Sequence, residues 1–415
     1  MIIDRFPGFL QSMFTPFEAM LSRPQFRHLR WMVLALVLNG RKAKLVHLSG
    51  IVPKGGHRTS WGSFLSAPWD APSLLAEQAM RMLRAMRPKA GEAIYLLIDD
   101  TRITKRGKKM EALNKIWDHK NQCFARGHMV VTAAILFRGV VLPWQISLWL
   151  PRSYAKSGYR KITEIAAAMI DSFEPPKGLK TRVLFDAFYL APCVVRACEN
   201  KGFFWFSVAS KNRKLAGRRY ARKETIRDFS PSVLKHHGQR VRLRRSRGWR
   251  WMRIAAVDGS LSRLGQVRMV FSKRPGDPWK KVLAVVTNET KRKPREIIAI
   301  YEKRWDIEVL FKELRESLGL GDYQVIGRDA IERHLHLVCL THLVLTHHSM
   351  EAVGAKARKA NTKVDLPKMT QRLTTLREAI RREQLQGLVN KIEHRKTKTM
   401  VKKYLFDQLQ LQTAA

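Results

Sequence analysis

Apolar residues recur at helical spacing in Phe9–Leu21, Phe26–Leu38 and Ser73–Met86, so the first 88 residues predict a compact helical region. Between the last two stretches, HRTSWGSFLS places Thr59 or Ser60 where it would cap a short helix. At Ala93 the period changes from helical to alternating. Ala93–Ile98 predicts a strand ending in Asp99-Asp100-Thr101, and His128–Phe137 and Val140–Leu150 predict two more around an Arg138-Gly139 turn. Ile162–Phe173 then reads as an amphipathic helix. Arg182–Phe185 follows as a short buried strand ending at Asp186, Ala191–Asn200 as a helix and Gly202–Ala209 as a strand.

The order βββαβαβ, with carboxylates at the tips of the first and fourth strands, is that of an α/β fold with an RNase H-like core, a mixed sheet flanked by helices. From Lys211 the texture changes again. Short strand-like runs at Trp251–Val257, Gln266–Ser272 and Val282–Thr287 predict an all-β insertion. Pro294–Leu318 is the strongest helix of the chain, with Pro in its first turn, Gly319 as its stop and no breaker between. Ile331–Met350 and Thr370–Glu393 predict two further helices, and a basic tail, His394–Lys403, follows. The expected organisation is therefore a helical N-terminal domain (1–88), a first part of the core (89–210), a basic β-rich insertion (211–289), a second part of the core (290–350) and a helical, basic C-terminal region (351–415).

Charge narrows the function. The chain has 415 residues, 45% of them hydrophobic, with 78 Lys and Arg against 34 Asp and Glu and a formal net charge of +44. Such an excess repels itself unless a polyanion neutralises part of it, which makes nucleic acid the expected partner. A membrane is the competing polyanionic surface, but apolar runs such as Val130–Phe137 fall far short of the roughly 20 residues that span a bilayer. The opening MIIDRFPGFLQSMF also lacks a secretory pattern, so the expected location is the cytoplasm, in contact with the nucleoid. Cys123, Cys193, Cys198 and Cys339 form no CxxC pair and are expected to be buried, reduced thiols. HLHLVCLTHLVLTHH is rich in histidine but lacks HExxH spacing, which favours packing or DNA-facing roles over a metal site. No Walker A motif suggests a nucleotide cofactor.

Against this background the helix around residue 60 is either a groove reader in the helix-turn-helix manner or an ordinary connection in a bundle. The densest charge, Lys211–Arg253, holds 16 Lys or Arg against Glu224 and Asp228. Its cations interleave with Tyr220, Phe229, Trp249 and Trp251, and rings and guanidinium groups stack on bases. Arg242, Arg244, Arg245, Arg247, Trp249 and Arg250 are therefore candidate DNA contacts.

Phosphoryl transfer on DNA needs an activated oxygen nucleophile and stabilised charge on the leaving oxygen, which two divalent cations bridged by carboxylates supply. Asp100 follows YLLID and Asp186 follows RVLF, so both emerge at one sheet edge. Asp99, one residue earlier, points to the opposite face and is set aside. At about 100° per residue, Tyr301, Arg304, Glu308, Lys312 and Arg315 fall at about 0°, −60°, −20°, +20° and −40°, one narrow stripe beside an apolar stripe of Ile300, Ile307, Phe311, Leu314 and Leu318. The plain alternative is an exposed ladder of ion pairs, Arg304 with Glu308 and Glu308 with Lys312.

Within YEKRWDIEVLFKELRESLGL, the spacing Tyr301-x2-Arg304-x3-Glu308-x6-Arg315 is similar to the Tyr-x2-Arg-x3-Glu-x6-Lys signature of bacterial DDE transposases of the insertion-sequence-four type. IDDT at Asp100 and LFDAFY at Asp186 resemble that family's other acid motifs, in the same order; Arg315 stands where the family has Lys. The resemblance implies a transposase that excises and inserts an element. It binds terminal repeats on double-stranded DNA, works as a homodimer in the complex, nicks the ends, passes through a hairpin and joins the ends to target DNA. It implies Asp100, Asp186 and Glu308 as catalytic metal ligands for two Mg²⁺ ions, with Mn²⁺ as a substitute, and Tyr301, Arg304, Lys312 and Arg315 on DNA phosphates. It also implies a flipped base stacked on an aromatic residue, for which Trp279 is the nearest candidate. Two other readings remain: a structure-specific nuclease of the same fold, and a non-catalytic DNA-binding protein derived from a transposase.

Overall fold

The computed structural model describes residues 3, 5–39, 43–118, 121–216, 224–245, 248–359 and 364–393. The chain begins with α1 (Gln11–Phe14), α2 (Arg23–Leu38), α3 (Leu45–Ile51), α4 (Arg58–Ser66) and α5 (Ala71–Ala85). The core follows as β1 (Ala93–Thr104), β2 (Asn114–Asp118), β3 (Cys123–Phe137), β4 (Val140–Trp149), α6 (Arg152–Ala155), α7 (Ile162–Asp171), β5 (Lys180–Phe185), α8 (Pro192–Asn200) and β6 (Phe204–Val208). Next come β7 (Leu215–Ala216), α9 (Ile226–His237), β8 (Gln239–Arg245), β9 (Gly248–Leu261), β10 (Gly265–Lys273) and β11 (Leu283–Thr287). The last helices are α10 (Pro294–Glu302), α11 (Trp305–Glu316), α12 (Arg328–Lys359) and α13 (Met369–Glu393).

All the strands belong to one mixed sheet, ordered β2-β3-β1-β5-β6-β11-β10-β9-β7, with β4 beside β3 and β8 beside β9. Its centre is parallel: β1 pairs with β5 and β5 with β6. Parallel strands are covered on both faces and so read as unbroken apolar runs. Leu96, Leu97 and Ile98 of β1 and Val183, Leu184 and Phe185 of β5 are all fully buried. Each such side chain contributes about 1.5–3 kcal/mol. Helices α7 and α8 pack together over β3, β4 and β6, while α10 lies over β6 and β11 and α11 over β1 and β4.

The Arg138-Gly139 turn forms as expected, with φ of 47° and 87°. Positive φ at both residues is the type I′ geometry of a two-residue hairpin loop, and the Arg138 side chain forms an ion pair with Glu92 at 2.7 Å. Burial raises Glu92 and the Arg138 hydrogen bond outweighs it, leaving the carboxyl below its usual pKa.

Three expectations are corrected. The segment 211–289 is not all-β. It contains α9, started by a capping box between Thr225 and Asp228 and burying Ile226, Val233 and Leu234 at helical spacing. Its last strand, β11, lies directly against β6, so the sheet continues from the core into this segment without a break. Pro294–Leu318 is not one helix either. It breaks between α10 and α11, where Arg304 N–H bonds Tyr301 O, Asp306 N–H bonds Lys303 O and Ile307 N–H bonds Arg304 O, three tightened i→i+3 bonds. Finally, Cys123 is exposed and Cys193 half-buried; Cys198 and Cys339 are buried as expected.

The N-terminal helices do not stand apart: α2, α4 and α5 pack against α12, and α5 also against β4. Helix α4 starts earlier than Thr59 or Ser60 would place it, capped by His57, whose Nδ1 accepts from the Thr59 N–H. Its Trp61 is buried and donates to Gly55 O. Of the histidines of α12, His334, His336 and His342 are buried, and His342 meets Glu313 at 2.9 Å, while His347 and His348 are half-buried. No helix among the described residues is long and apolar enough to cross a membrane. The tail beyond 393, with Tyr220 and Arg247, lies outside the described residues.

Candidate active site

The parallel register decides which acids meet. Ile98 pairs with Phe185 at the end of the parallel ladder, so the next residues, Asp99 within β1 and Asp186 just after β5, are lateral neighbours; β1 does not end before the aspartates as expected but runs on to Thr104. Lateral neighbours share a sheet face, and alternation sends Asp100 to the other. Asp99 faces α11. Its Oδ2 accepts from the Arg304 guanidinium at 2.9 Å and its Oδ1 from the Asp100 N–H at 2.9 Å. The same guanidinium donates to Glu308, one turn along α11. Arg304 thus bridges Asp99 and Glu308, with Asp186 beside Asp99.

Asp100 has a different environment. Its Oδ1 accepts from the Tyr189 hydroxyl at 3.1 Å. Asp186 caps the turn that carries Tyr189, its Oδ1 accepting from the Phe188 N–H at 2.9 Å and the Tyr189 N–H at 3.3 Å. Asp100 therefore grips the back of the loop that positions Asp186. Asp99 and Asp100 point to opposite faces, and it is Asp99 whose carboxylate lies toward α11 and Glu308, while that of Asp100, the residue expected beside Glu308, lies toward Tyr189.

Electrostatics agree with the geometry. Burial pushes Asp99 up to about 7, opposed by Arg304 and the Asp100 N–H and reinforced by the carboxylates of Asp186 and Asp100. Asp100 is also raised, by burial first, while the Tyr189 hydrogen bond opposes it. Holding both ionised so close to Asp186 is unfavourable without added positive charge. Tyr301 lies beside Arg304, whose guanidinium is 6.0 Å from its ring centroid, and burial pushes its phenol to about 12, so it remains a hydrogen-bond donor. No group of three or more His, Cys, Asp or Glu side chains that could hold a metal ion is found among the described residues.

The rest of the stripe is spread out. Lys312 is exposed and lies 3.9 Å from Glu316, not Glu308, so half of the expected ladder is absent. Arg315 is exposed, with its Nε on Phe311 O at 3.2 Å. The apolar stripe is buried as expected, from Ile300 to Leu318.

Of the basic cluster, β8 and β9 form a hairpin with alternating faces. Arg242 pairs with Trp251 and Arg244 with Trp249, whereas Arg250 pairs with Leu243 on the inward face. Arg242 stacks 5.5 Å from the Trp249 ring centroid and Arg240 4.8 Å from that of Trp251. Trp249 and Trp251 stay 58% and 49% exposed. Arg245 lies one residue further along β8, opposite Gly248. Phe229 instead packs on Phe271 at 6.0 Å. Trp279 is half-exposed between Lys235 and Lys273, at 5.7 and 5.1 Å from its centroid, in the turn leading into β11. Sequence reasoning missed the Tyr189–Asp100 contact, the exposed Phe188 and a second cation–aromatic ribbon, β2–β3. For the ribbon a signal existed: Lys115-x-Trp117 and Phe124-x-Arg126 alternate with period two.

The mixed sheet carries neighbouring carboxylates on its central parallel strands, Asp99 within β1 and Asp186 just after β5, and they are faced by a helix bearing a third, Glu308. The model of the transposase DDE domain family matches residues 92–344, more than half of the chain, and the chain belongs to that family. It is similar to the probable transposase for insertion sequence element IS701 of Microchaete diplosiphon, 23% identical over 166 residues, 40% of this chain and 43% of that protein. The chain thus spans less than half the length of that curated relative.

Proposed function

We propose that this chain is a DNA transposase that cuts and joins the ends of an insertion sequence, with Asp99, Asp186 and Glu308 as its acids on an RNase H-like core. The observation that carries the reading is the Arg304 guanidinium bridging Asp99 and Glu308 while Asp99 neighbours Asp186 across the parallel pair. The donor set fits a divalent cation: hard carboxylate oxygens, partly buried, in a cluster where Asp99 needs a nearby positive charge to ionise. Asp99, Asp186 and Glu308 would hold Mg²⁺, with Mn²⁺ as a substitute. When bound, the cation polarises the phosphate and lowers the pKa of the attacking water or 3′-hydroxyl.

The chain's own groups do the remaining work. Arg304, released from the acids, offers a planar fork to a phosphate, and Tyr301 beside it donates from a phenol that stays protonated. Lys312 and Arg315, exposed further along α11, extend the positive stripe along the DNA backbone. Arg242 and Trp249 on the β8–β9 hairpin, with Trp279 near the start of β11, provide cations and rings for the strand beyond, Trp279 being the candidate for a flipped base. Terminal repeats are the specific ligand, a homodimer the working form and a hairpin the expected intermediate.

The deciding experiment incubates the purified chain with a supercoiled plasmid carrying the gene and its natural flanks, in Mg²⁺ or Mn²⁺. Excised element and rejoined products are expected; DNA binding without any strand cleavage in either metal would sink the enzymatic reading. Arg304→Lys keeps the charge but loses the fork, so nicking should fall about a hundred-fold with the unfolding temperature little changed. Nicking assays beside thermal melts check this, and full activity would take Arg304 off the phosphate. Binding should also weaken steeply with salt. Arg242→Ala should flatten the log–log slope by about 0.9, the share of one phosphate, in titrations at several salt concentrations. An unchanged slope would move the contact off β8–β9.

A further inference from the structure

The edge of the sheet far from β8–β9 carries a second ribbon of the same make-up. β2 and the first residues of β3 pair antiparallel, Lys115 opposite Arg126 and Trp117 opposite Phe124. Cross-strand partners share a face, so two cations and two rings stand together, while Ile116 turns to the other side and is buried. Trp117 and Phe124 meet edge to face at 5.0 Å, and the Lys115 ammonium lies 4.5 Å from the Phe124 centroid. Phe124 nevertheless remains 60% exposed. An open hollow of about 480 Å³ beside it is lined by Lys108, Lys115, Phe124 and Arg126, with no acid among its lining residues.

Strand β3 continues from this ribbon to the acids. Phe124, Arg126, His128, Val130 and Thr132 alternate onto one face, and Thr132 is the partner of Asp99. His128 on that face bonds the Tyr323 hydroxyl at 2.7 Å, just beyond α11, so the ribbon's charged face is on the side from which Asp99, Arg304 and Glu308 present themselves. Six residues of strand separate Arg126 from Thr132, roughly 20 Å. That distance corresponds to about six nucleotides of a strand that keeps the roughly 3.4 Å stacked spacing of duplex DNA, and to fewer where the strand is extended.

We propose that the β2–β3 ribbon holds an unpaired stretch of the DNA strand about six nucleotides from the cleavage site. A base stacks on Phe124, braced by Trp117, and Lys115 and Arg126 neutralise the flanking phosphates. Duplex alone would use the cations and leave the rings idle, because paired bases have their faces covered; an exposed ring set among cations suits single strands. The inference rests on the DNA reading above and adds which strand state is held, and where.

The test measures binding of the full chain, without divalent metal, to an arbitrary 30-base-pair duplex, blunt or carrying a ten-nucleotide single-stranded tail. The wild type should prefer the tailed DNA. Phe124→Ala should weaken tailed binding about ten-fold while leaving the blunt duplex within about two-fold, and Phe124→Tyr should restore it. Lys115→Ala with Arg126→Ala should lower the salt slope on tailed DNA by about 1.4. A tail preference that survives Phe124→Ala overturns the proposal while the transposase reading stands. So does a Phe124→Ala effect on self-association alone, which would make the face a contact between copies of the chain. Failure of the wild type to bind either DNA would overturn both.

Discussion

Asp99→Ala is expected to lower strand cleavage by about a thousand-fold or more, while Asp100→Asn keeps cleavage within about ten-fold of wild type. Removing an acid that holds a catalytic cation forfeits several kcal/mol of transition-state stabilisation, and each 1.36 kcal/mol is a factor of about ten. Asp99 is the carboxylate beside Asp186 on the face that α11 covers, joined to Glu308 through Arg304. Asp100 only accepts from Tyr189, and an amide oxygen can accept from the same hydroxyl. Quantifying nicked and excised products for both variants, beside Asp186→Ala and Glu308→Ala as matched losses, decides the matter. An active Asp99→Ala with an inactive Asp100→Asn would reverse the register of the site.

Glu289→Ala is expected to destabilise the fold by about 3–5 kcal/mol with no direct part in the chemistry, because it leaves buried Arg182 without its counter-charge. Arg182 of β5 is 3% exposed and forms a two-pronged pair with Glu289, 2.8 Å at each contact. Arg292 adds a third contact at 2.7 Å. Burial pushes Glu289 up, yet the two guanidinium groups outweigh it and its pKa ends below the usual 4.5. A carboxylate depressed in the folded state contributes fully above the unfolded value and loses that contribution as pH falls through the folded one. Denaturant melts at pH 7 should show the large gap between wild type and variant, narrowing below about pH 4. Equal stability at neutral pH would mean the pair relaxes into solvent.

Much of the fold is legible in the sequence because the apolar period is clear. The Arg138-Gly139 turn, β4, α7, β5, α8 and β10 fall within a few residues of where alternation and helical spacing put them. The misses have specific causes. Helix α9 hides in a run so rich in cations that its three buried apolar residues are sparse, and its capping box was the readable sign. Ribbon β2–β3 is missed because its exposed face carries rings as well as charge, which blurs the apolar count. The break before α11 involves neither Pro nor Gly; it coincides with Arg304, whose partners come from β1 and from its own helix.

By itself the sequence determined the positive charge, a strand carrying two consecutive aspartates, a second strand followed by Asp186, and a helical stretch with Tyr301, Arg304 and Glu308 beside a buried stripe. These are local properties of composition and period, and they survive any packing of the elements. Only the tertiary structure decided which of Asp99 and Asp100 faces α11. Alternation separates the two but cannot name the face, because β1 is buried on both sides: Leu96, Leu97 and Ile98 are equally inaccessible, so hydrophobicity leaves no mark of where α11 will lie. The parallel pairing of Ile98 with Phe185 and the seating of α11 over β1 put Asp99 on the side of Arg304 and Glu308, through contacts between residues 205 positions apart in the chain.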